Sequence, residues 1–189
     1  MQVTLKNIKN EKIIAIFKEV LEEFESLHNC EIVLGRKRLR SSTMQAQPDI
    51  RLWDIFSTTN RYKVNLGYHI KDKEELIIAN VPDEVLKGWF AHELGHLVDY
   101  RQHSNLKMLA FGFKYVFSSS FRMKAEHDAD YIAIKYGFFE EILATKDYIL
   151  DHDLIEDEYK AKIKKYYLSR KKVVMCSKDK SLLERFMHL

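Results

Sequence analysis

Cysteine is scarce in this sequence, and its two copies are far apart. Cys30 and Cys176 are separated by most of the chain, and neither belongs to a C-x-x-C pair. A framework of disulfide bonds therefore does not stabilise the fold, and neither cysteine belongs to a cysteine-type metal site. Internal repeats and low-complexity segments are also missing.

The sequence also lacks a strong net charge. Lys+Arg 31 against Asp+Glu 28 leaves a net charge of +3, which is spread along the chain. This balance is too weak to indicate a nucleic-acid partner, and we expect none. The stretch from Arg170 to Lys180 is locally basic, and we expect it to be a solvated tail.

No run of apolar residues is long enough to span a membrane. The most apolar window, residues 106–121, is interrupted by Lys107, Lys114 and three serines. It falls short of the ~20 apolar residues that a spanning helix needs. Residues 1–10 are polar and show no secretory signal. We therefore expect a cytoplasmic protein.

What remains is the composition of an ordinary folded domain. The 189 residues are 46% hydrophobic and 31% charged, enough to bury a core. The patterns predict the α+β class: a helix, a short and mostly antiparallel sheet, then mainly helices. We expect a single domain over residues 1–189, with its core at about 60–137 and a C-terminal helical extension over 138–189.

Hydrophobic periodicity and turn residues divide the chain into elements. Helices are predicted over 10–27, from Pro82 onward, over 121–136, 138–148 and 155–168, with Gly137 ending the third of these. Strands are predicted over 31–35, 50–56, 62–70 and 76–81, and the third alternates most clearly. A loop is predicted over 40–49 and a charged turn over 71–75.

Residues 92–96 are His-Glu-Leu-Gly-His, an H-E-x-x-H sequence. Residues i and i+4 share one face of a helix, so His92 and His96 can both reach one Zn²⁺ at roughly 2.0–2.1 Å. Glu93 lies about 100° round the helix. It is too far round to be a natural third ligand, yet it is near enough to contact a water at the metal.

The residues around this motif favour a functional site over two incidental histidines on a surface helix. Apolar residues on the side opposite His92 predict a core stripe, so the histidines should face a cleft. The stripe consists of Leu86, Phe90, Leu94, Leu97 and Val98. Gly88 and Gly95 share a third strip with Ala91. Because each interior glycine costs about 1 kcal/mol relative to alanine, we expect a neighbouring element to approach closely there.

A second helical pair, Glu126 and Asp130, follows downstream at i and i+4. Like charges at this spacing repel unless a cation or hydrogen-bond donors lie between them. A zinc site supplies both, with Glu126 as an oxygen ligand and Asp130 accepting the free N–H of a ligating histidine. Two alternatives remain: a solvated acidic turn, and His127 as the third ligand, although His127 points about 100° away from Glu126.

The two motifs together resemble the gluzincin metallopeptidases. The matching residues are His92-Glu93-Leu94-Gly95-His96 and Glu126-x-x-Ala129-Asp130. The sequence is most similar to the branch containing the membrane CAAX-prenyl proteases, their heat-shock relatives and the short soluble minigluzincins, over about residues 62–137.

This resemblance implies a zincin-like fold and one Zn²⁺ per chain. It implies His92, His96 and Glu126 as metal ligands, Glu93 as general base, and Asp130 as a partner of a ligating histidine. It also implies that the strand before the helix carrying His92 and His96 lines the substrate cleft. Segments 1–49 and 138–189 lie outside the resemblance.

The function expected on this basis is that of a zinc-dependent endopeptidase. Glu93 would take a proton from water and pass it to the leaving amine, and Leu76 to Asn80 would pair with an extended peptide. Tyr131, Tyr136 and His152 are candidates for stabilising the oxyanion. The alternatives are a regulatory peptidase that cuts a single partner and an interaction protein whose zinc site is catalytically silent. Glu93 argues against the latter, because a purely structural site needs no acid there.

The apolar window at 106–121 has an unusual pattern. Phe111, Phe113, Tyr115 and Phe117 fall at every second position, unlike an amphipathic helix. We expect the segment to pack against the domain or to wall the cleft. The alternative is an exposed apolar flap that contacts a membrane or an unfolded protein substrate.

Overall fold

The computed structural model describes residues 2–39, 42–70, 76–179 and 181–183. Within them the strands are β1 (Gln2–Lys6), β2 (Glu31–Arg36), β3 (Met44–Pro48) and β4 (Arg61–Leu66). The helices are α1 (Glu11–Glu23), α2 (Asp83–Tyr100), α3 (Asn105–Phe117), α4 (Ser119–Lys135), α5 (Phe139–Asp151), α6 (Asp157–Tyr166) and α7 (Arg170–Lys178). The fold is therefore of the α+β class. Its buried apolar residues form a cluster that runs from Ile8 to Leu183.

The described strands form a mixed sheet in the order β1-β2-β4-β3. β1 and β4 both run parallel to β2, and β3 alone runs antiparallel to its neighbour β4. The prediction of a mostly antiparallel sheet is therefore wrong. Alternation along β4 shows that one face is buried, as Tyr62, Val64 and Leu66 are. This alternation does not show whether the neighbouring strands run parallel or antiparallel to β4, because that depends on how the chain connects the strands.

The edge strand β3 lies where a loop was predicted. Its sequence, Met-Gln-Ala-Gln-Pro, has weak strand propensity, yet Ala46 is paired opposite Val64. Pro48 fits an edge position because it has no backbone N–H to offer the ladder.

Other predicted elements change type or length. The predicted strands 50–56 and 76–81 contain 3₁₀ turns at Leu52–Asp54 and Ile78–Asn80, and His69 and Ile77 form an isolated bridge. The first helix ends at Glu23 and is followed by a 3₁₀ turn. The charged turn at 71–75 lies outside the described residues.

Helix α2 is closely covered on its glycine strip. A β-carbon added to Gly88 would lie 2.2 Å from the backbone oxygen of Glu141 in α5, and one added to Gly95 would lie 2.5 Å from that of Ala129 in α4. Neither distance is tolerable, so both positions require glycine. The prediction that neighbouring elements approach this strip is confirmed.

The core stripe of α2 is also confirmed, since Leu86, Phe90, Leu94 and Leu97 are fully buried. Phe90 packs edge-on against Phe17 of α1, with ring centroids 5.2 Å apart. Such apolar burial holds α2 at the centre of the fold and fixes the direction of its histidine face.

The basic segment at 170–180 is not a solvated tail over its described part. Helix α7 begins after Ser169, whose side chain accepts a hydrogen bond from the backbone N–H of Lys172. Val173 and Cys176 are buried at helical spacing, while the cationic side chains face outward. The prediction was wrong because it considered only the basic residues and overlooked the apolar helix face formed by Val173 and Cys176. Lys180 lies outside the described residues.

The helix boundaries at α4 follow the prediction closely. Gly137 has a φ of 99°, in the left-handed region that favours glycine after a helix. No described helix is long and apolar enough to cross a membrane.

Candidate metal centre

Two histidines of α2 and one glutamate of α4 converge at a buried point. The ligand atoms of His92, His96 and Glu126 all lie within 4.8 Å of one another. Glu126 Oε2 is 3.0 Å from His92 Nε2 and 3.5 Å from His96 Nε2. A tetrahedral centre with bonds of roughly 2.0–2.1 Å places its ligand atoms about 3.3 Å apart. The donor set and its spacing fit a metal ion, and the group could hold one.

The packing of α2 on α4 explains why these residues meet. Gly95 lies between the two helices, where it contacts the backbone of Ala129. Because Gly95 and Ala129 are both small, α2 and α4 lie close together, and Glu126 on α4 reaches His92 and His96 on α2. These two small residues therefore set the geometry of the site.

Asp130 fixes the orientation of His92. Its Oδ1 lies 2.9 Å from His92 Nδ1, which leaves Nε2 directed at Glu126. This is the contact expected of Asp130: a hydrogen bond to the imidazole nitrogen that does not face the metal site. The arrangement favours the tautomer with a proton on Nδ1 when a metal occupies Nε2.

Asp130 is in turn held by groups from α5 and from the link between α6 and α7. Its Oδ2 accepts hydrogen bonds from Lys146 Nζ at 2.8 Å and from the backbone N–H of Leu168 at 3.1 Å. Burial acts to raise the pKa of this carboxyl, but Lys146 and His92 lower it to about 2. Asp130 therefore remains an anion in spite of its burial.

Sequence reasoning missed Lys146. It is 5% exposed, although a lysine is rarely buried without a partner. A weak signal was present, since Lys146 falls between Ile142 and Ile149 on the buried face of α5. A cation on a buried face requires an anionic partner, and Asp130 is the partner of Lys146.

Tyr115 was also missed as a site residue. Its hydroxyl, carried by α3, donates a hydrogen bond to Glu126 Oε1, while Oε2 faces the histidines. Burial acts to raise the pKa of Glu126, but hydrogen bonds from His92 and His96 hold it well below its usual range. Each oxygen of this carboxylate thus has its own partners.

Glu93 lies beside the triad without belonging to it. Its side chain is buried and borders the same cleft as His92 and His96. Burial is the largest influence and raises the pKa of Glu93, whereas His92, His96 and a backbone hydrogen bond from Ala46 act to lower it. A carboxylate with these neighbours is suited to exchange a proton near the triad.

The cleft in front of the triad has a volume of about 440 Å³. It is bounded by β3 on one side and by the inner face of α3 on the other. Its lining includes Met44, Gln45, Ala46, Gln47, Met108, Phe111, Tyr115, Arg122 and Tyr167. Residues 106–121 thus wall the cleft in part, as expected. The alternative of an exposed apolar flap has support as well, because the side chains of Phe113 and Phe117 are 65% and 73% exposed.

The free edge of β3 faces this cleft. Thr43 accepts a hydrogen bond from Gly67, and Asp49 donates one to Arg61, so these two residues are bonded to the β4 side. Successive residues of an antiparallel strand alternate in the direction of their backbone groups. Met44 and Ala46 therefore direct their N–H and C=O groups away from β4. The segment Leu76 to Asn80, expected to line the cleft, forms no strand there.

The three oxyanion candidates lie elsewhere. The Tyr136 hydroxyl donates to Ser26 Oγ at 2.8 Å, and His152 Nδ1 accepts from the backbone of Leu154. Tyr131 does not line the cleft. Tyr167 does, with its ring centroid 5.3 Å from that of His92. It follows α6 in a segment whose approach to the site no local pattern indicated.

His127 does not join the triad. It is partly exposed, and its ring lies 6.3 Å from that of Tyr131. Burial acts to lower the pKa of its imidazole. The group that could hold a metal consists of His92, His96 and Glu126 and does not include His127. The helical geometry of α4 turns it away from Glu126, as the 100° offset predicted.

Substitutions on α4 should therefore rank in a definite order. If the group holds a metal ion, Glu126→Ala is expected to weaken its binding most, because it removes a candidate ligand atom. Asp130→Asn should cost roughly 10–100-fold in metal affinity, because it disturbs the orientation of His92. His127→Ala should leave the affinity near that of wild type. Competition with a chromophoric chelator measures all three, and a larger loss for His127→Ala than for Glu126→Ala would refute this ligand set.

Comparison of the chain with protein-family models, with curated proteins and with solved structures gave no match.

Proposed function

We propose that this chain is a zinc-dependent endopeptidase of the gluzincin type. The observation that carries the proposal is the buried triad of His92, His96 and Glu126, with Glu93 beside it at the wall of a cleft. Two histidines and a glutamate, with one position open to solvent, form a donor set used by catalytic zinc. A structural zinc site uses four protein ligands and needs no adjacent acid.

The bound ion would supply Lewis acidity, which polarises the scissile carbonyl and makes a water molecule easier to deprotonate. The protein holds the ligands in place for this purpose. Asp130 and Lys146 orient His92, and Tyr115 holds the far oxygen of Glu126. Residues around a ligand set typically tune metal affinity in this way.

Glu93 would act first as general base and then as general acid. It takes a proton from the attacking water and later delivers that proton to the leaving amine. Its burial raises its pKa and so favours holding the proton between the two steps. Tyr167 lines the cleft beside His92 and would donate a hydrogen bond to the developing oxyanion. Burial raises the pKa of its hydroxyl and keeps it protonated.

The substrate would be an extended peptide paired with β3. The backbone groups of Met44 and the C=O of Ala46 would pair with a peptide that lies between β3 and α3, whereas the N–H of Ala46 is bonded to Glu93. This strand-addition mode selects for unfolded segments. Glutamines on β3 and aromatic residues on α3 would contact alternate side chains of the peptide.

The proposal predicts that the zinc-loaded chain hydrolyses unfolded casein. Removal of the metal with a chelator should abolish hydrolysis, and restoring zinc should recover it. The release of soluble peptides, measured over time, reports the activity, and mass spectrometry of early fragments distinguishes internal cleavage from trimming. A zinc-loaded chain that cleaves neither casein nor a mixture of unfolded proteins would contradict a general endopeptidase and favour the alternative of a catalytically silent site.

A further inference from the structure

The outer face of α3 is apolar and uncovered. Its large side chains recur every three or four residues and so fall on one side of the helix. They are Leu106, Leu109, Phe113 and Phe117, which are 53%, 50%, 65% and 73% exposed, while Val116, 60% exposed, lies at the rim of the cleft. The rings of Phe113 and Phe117 contact each other, with centroids 4.5 Å apart, rather than the body of the protein. A contiguous exposed apolar patch of this kind marks an interaction surface.

A second group of exposed aromatic residues lies next to the start of this helix. The backbone N–H of Asn105 donates to Ser57 O at 2.9 Å, and its side-chain amide donates to Asp54 O at 2.6 Å. These two hydrogen bonds hold the loop after β3 against α3. In that loop Trp53 is 78% exposed and Phe56 is 92% exposed.

The charged residues on α3 itself, Lys107 and Lys114, are both cations. Residues 104–125 contain Lys107, Lys114, Arg122 and Lys124 but no Asp or Glu, in a chain whose charges otherwise nearly balance. Arg51 adds a cation beside the loop, with its guanidinium 5.9 Å from the centre of the Trp53 ring. Lys107 and Lys114 border the apolar face on one side, where they share a groove with Asp99 and Asp128. These two lysines and Arg51 are the cations complementary to an anionic surface.

We propose that the outer face of α3, together with Trp53 and Phe56, docks onto the surface of an anionic lipid bilayer. A helix of 13 residues is too short to span a bilayer. It can lie in the interface with its apolar face among the acyl chains, while lysines and arginines contact anionic headgroups. Tryptophan at the edge of such a face favours the headgroup region.

Docking in this way would hold the cleft next to the membrane surface. The opposite side of α3 lines the cleft, and Tyr115 on that side bonds to Glu126. Substrates that reach the cleft would then be segments exposed close to the bilayer. The docking itself depends on surface residues that do not bind metal, so it can be tested apart from the proposed peptidase activity.

Vesicle sedimentation with the full chain tests the proposal. The chain is expected to sediment with vesicles of phosphatidylcholine and phosphatidylserine, and less with phosphatidylcholine alone. Phe113→Ser combined with Phe117→Ser should weaken this binding roughly tenfold or more, because it removes two rings that would enter the bilayer. Lys107→Glu combined with Lys114→Glu should weaken it as well and reduce its dependence on salt.

A matched control replaces two exposed apolar residues far from α3, Leu154→Ser with Met175→Ser, which are 56% and 44% exposed in wild type. This variant should bind vesicles as wild type does. Circular dichroism should show that all variants are folded, and the lysine pair remains informative if the phenylalanine pair is not.

Three results would overturn the proposal. One is a wild-type chain that does not sediment with anionic vesicles. Another is equal binding by wild type and both α3 variants. The third is concentration-dependent self-association that the phenylalanine substitutions abolish without any vesicle binding, which would assign the face to a second copy of the chain.

Discussion

Glu93→Gln is expected to remove casein hydrolysis while leaving the metal and the fold in place. Glutamine has nearly the same shape as glutamate, but it cannot take the proton that a general base must accept. Such a loss typically lowers the rate by about 10²–10⁴-fold. Because the carboxyl is buried and its ionisation is opposed by desolvation, the neutral amide should not lower the thermal stability.

The matched control is Glu84→Gln, the same chemical change on the exposed first turn of the same helix. It should retain wild-type activity. Initial rates of casein hydrolysis are compared at equal zinc content, which excludes metal loss as the cause. Activity of Glu93→Gln within a few-fold of wild type would show that another group is the base.

His92→Ala and His96→Ala are each expected to abolish tight zinc binding. Each removes one of the three proposed ligands, so the loss should exceed the roughly 10–100-fold that disturbing a ligand's hydrogen-bond partner costs. His92→Ala should also alter the interior, because it leaves Asp130 with Lys146 and Leu168 as its remaining partners.

Thermal unfolding with and without zinc measures this loss independently of catalysis. A ligand at about 100 times its Kd stabilises the folded state by about 2.7 kcal/mol. Wild type should gain stability with added zinc, whereas the two alanine variants should gain none. His103→Ala, which changes a histidine just beyond α2, is the control and should respond as wild type does. A full zinc response in either triad variant would contradict the ligand set.

The sequence was informative about the site wherever the chemistry depends on spacing within one helix. The i and i+4 positions of His92 and His96, and of Glu126 and Asp130, place side chains on one face whatever the rest of the fold does. The glycine strip of α2 was equally local, since an interior glycine needs a packing reason. These features could be predicted and were found together.

The sequence was uninformative wherever a residue meets the site through long-range packing. Nothing local in β3 indicated that Ala46 would lie beside Glu93. The direction of the sheet strands also depends on connections rather than on alternation. Lys146 on α5, Tyr115 on α3 and Tyr167 after α6 all lie outside the two motifs. Tyr131, Tyr136 and His152, which the sequence offered for the oxyanion, do not line the cleft. Residues 44–48 pair as a strand in spite of weak strand propensity, whereas residues 76–81, with an apolar strand-like sequence, contain a 3₁₀ turn.

The most direct test of the proposed zinc centre is the metal content of the purified chain, before and after incubation with zinc and removal of the excess. Inductively coupled plasma mass spectrometry, with protein quantified by amino-acid analysis, gives the stoichiometry. We expect one tightly held zinc per chain. A chain that contains no zinc and takes up none would contradict the assignment of His92, His96 and Glu126 as ligands, and the proposed peptidase with it.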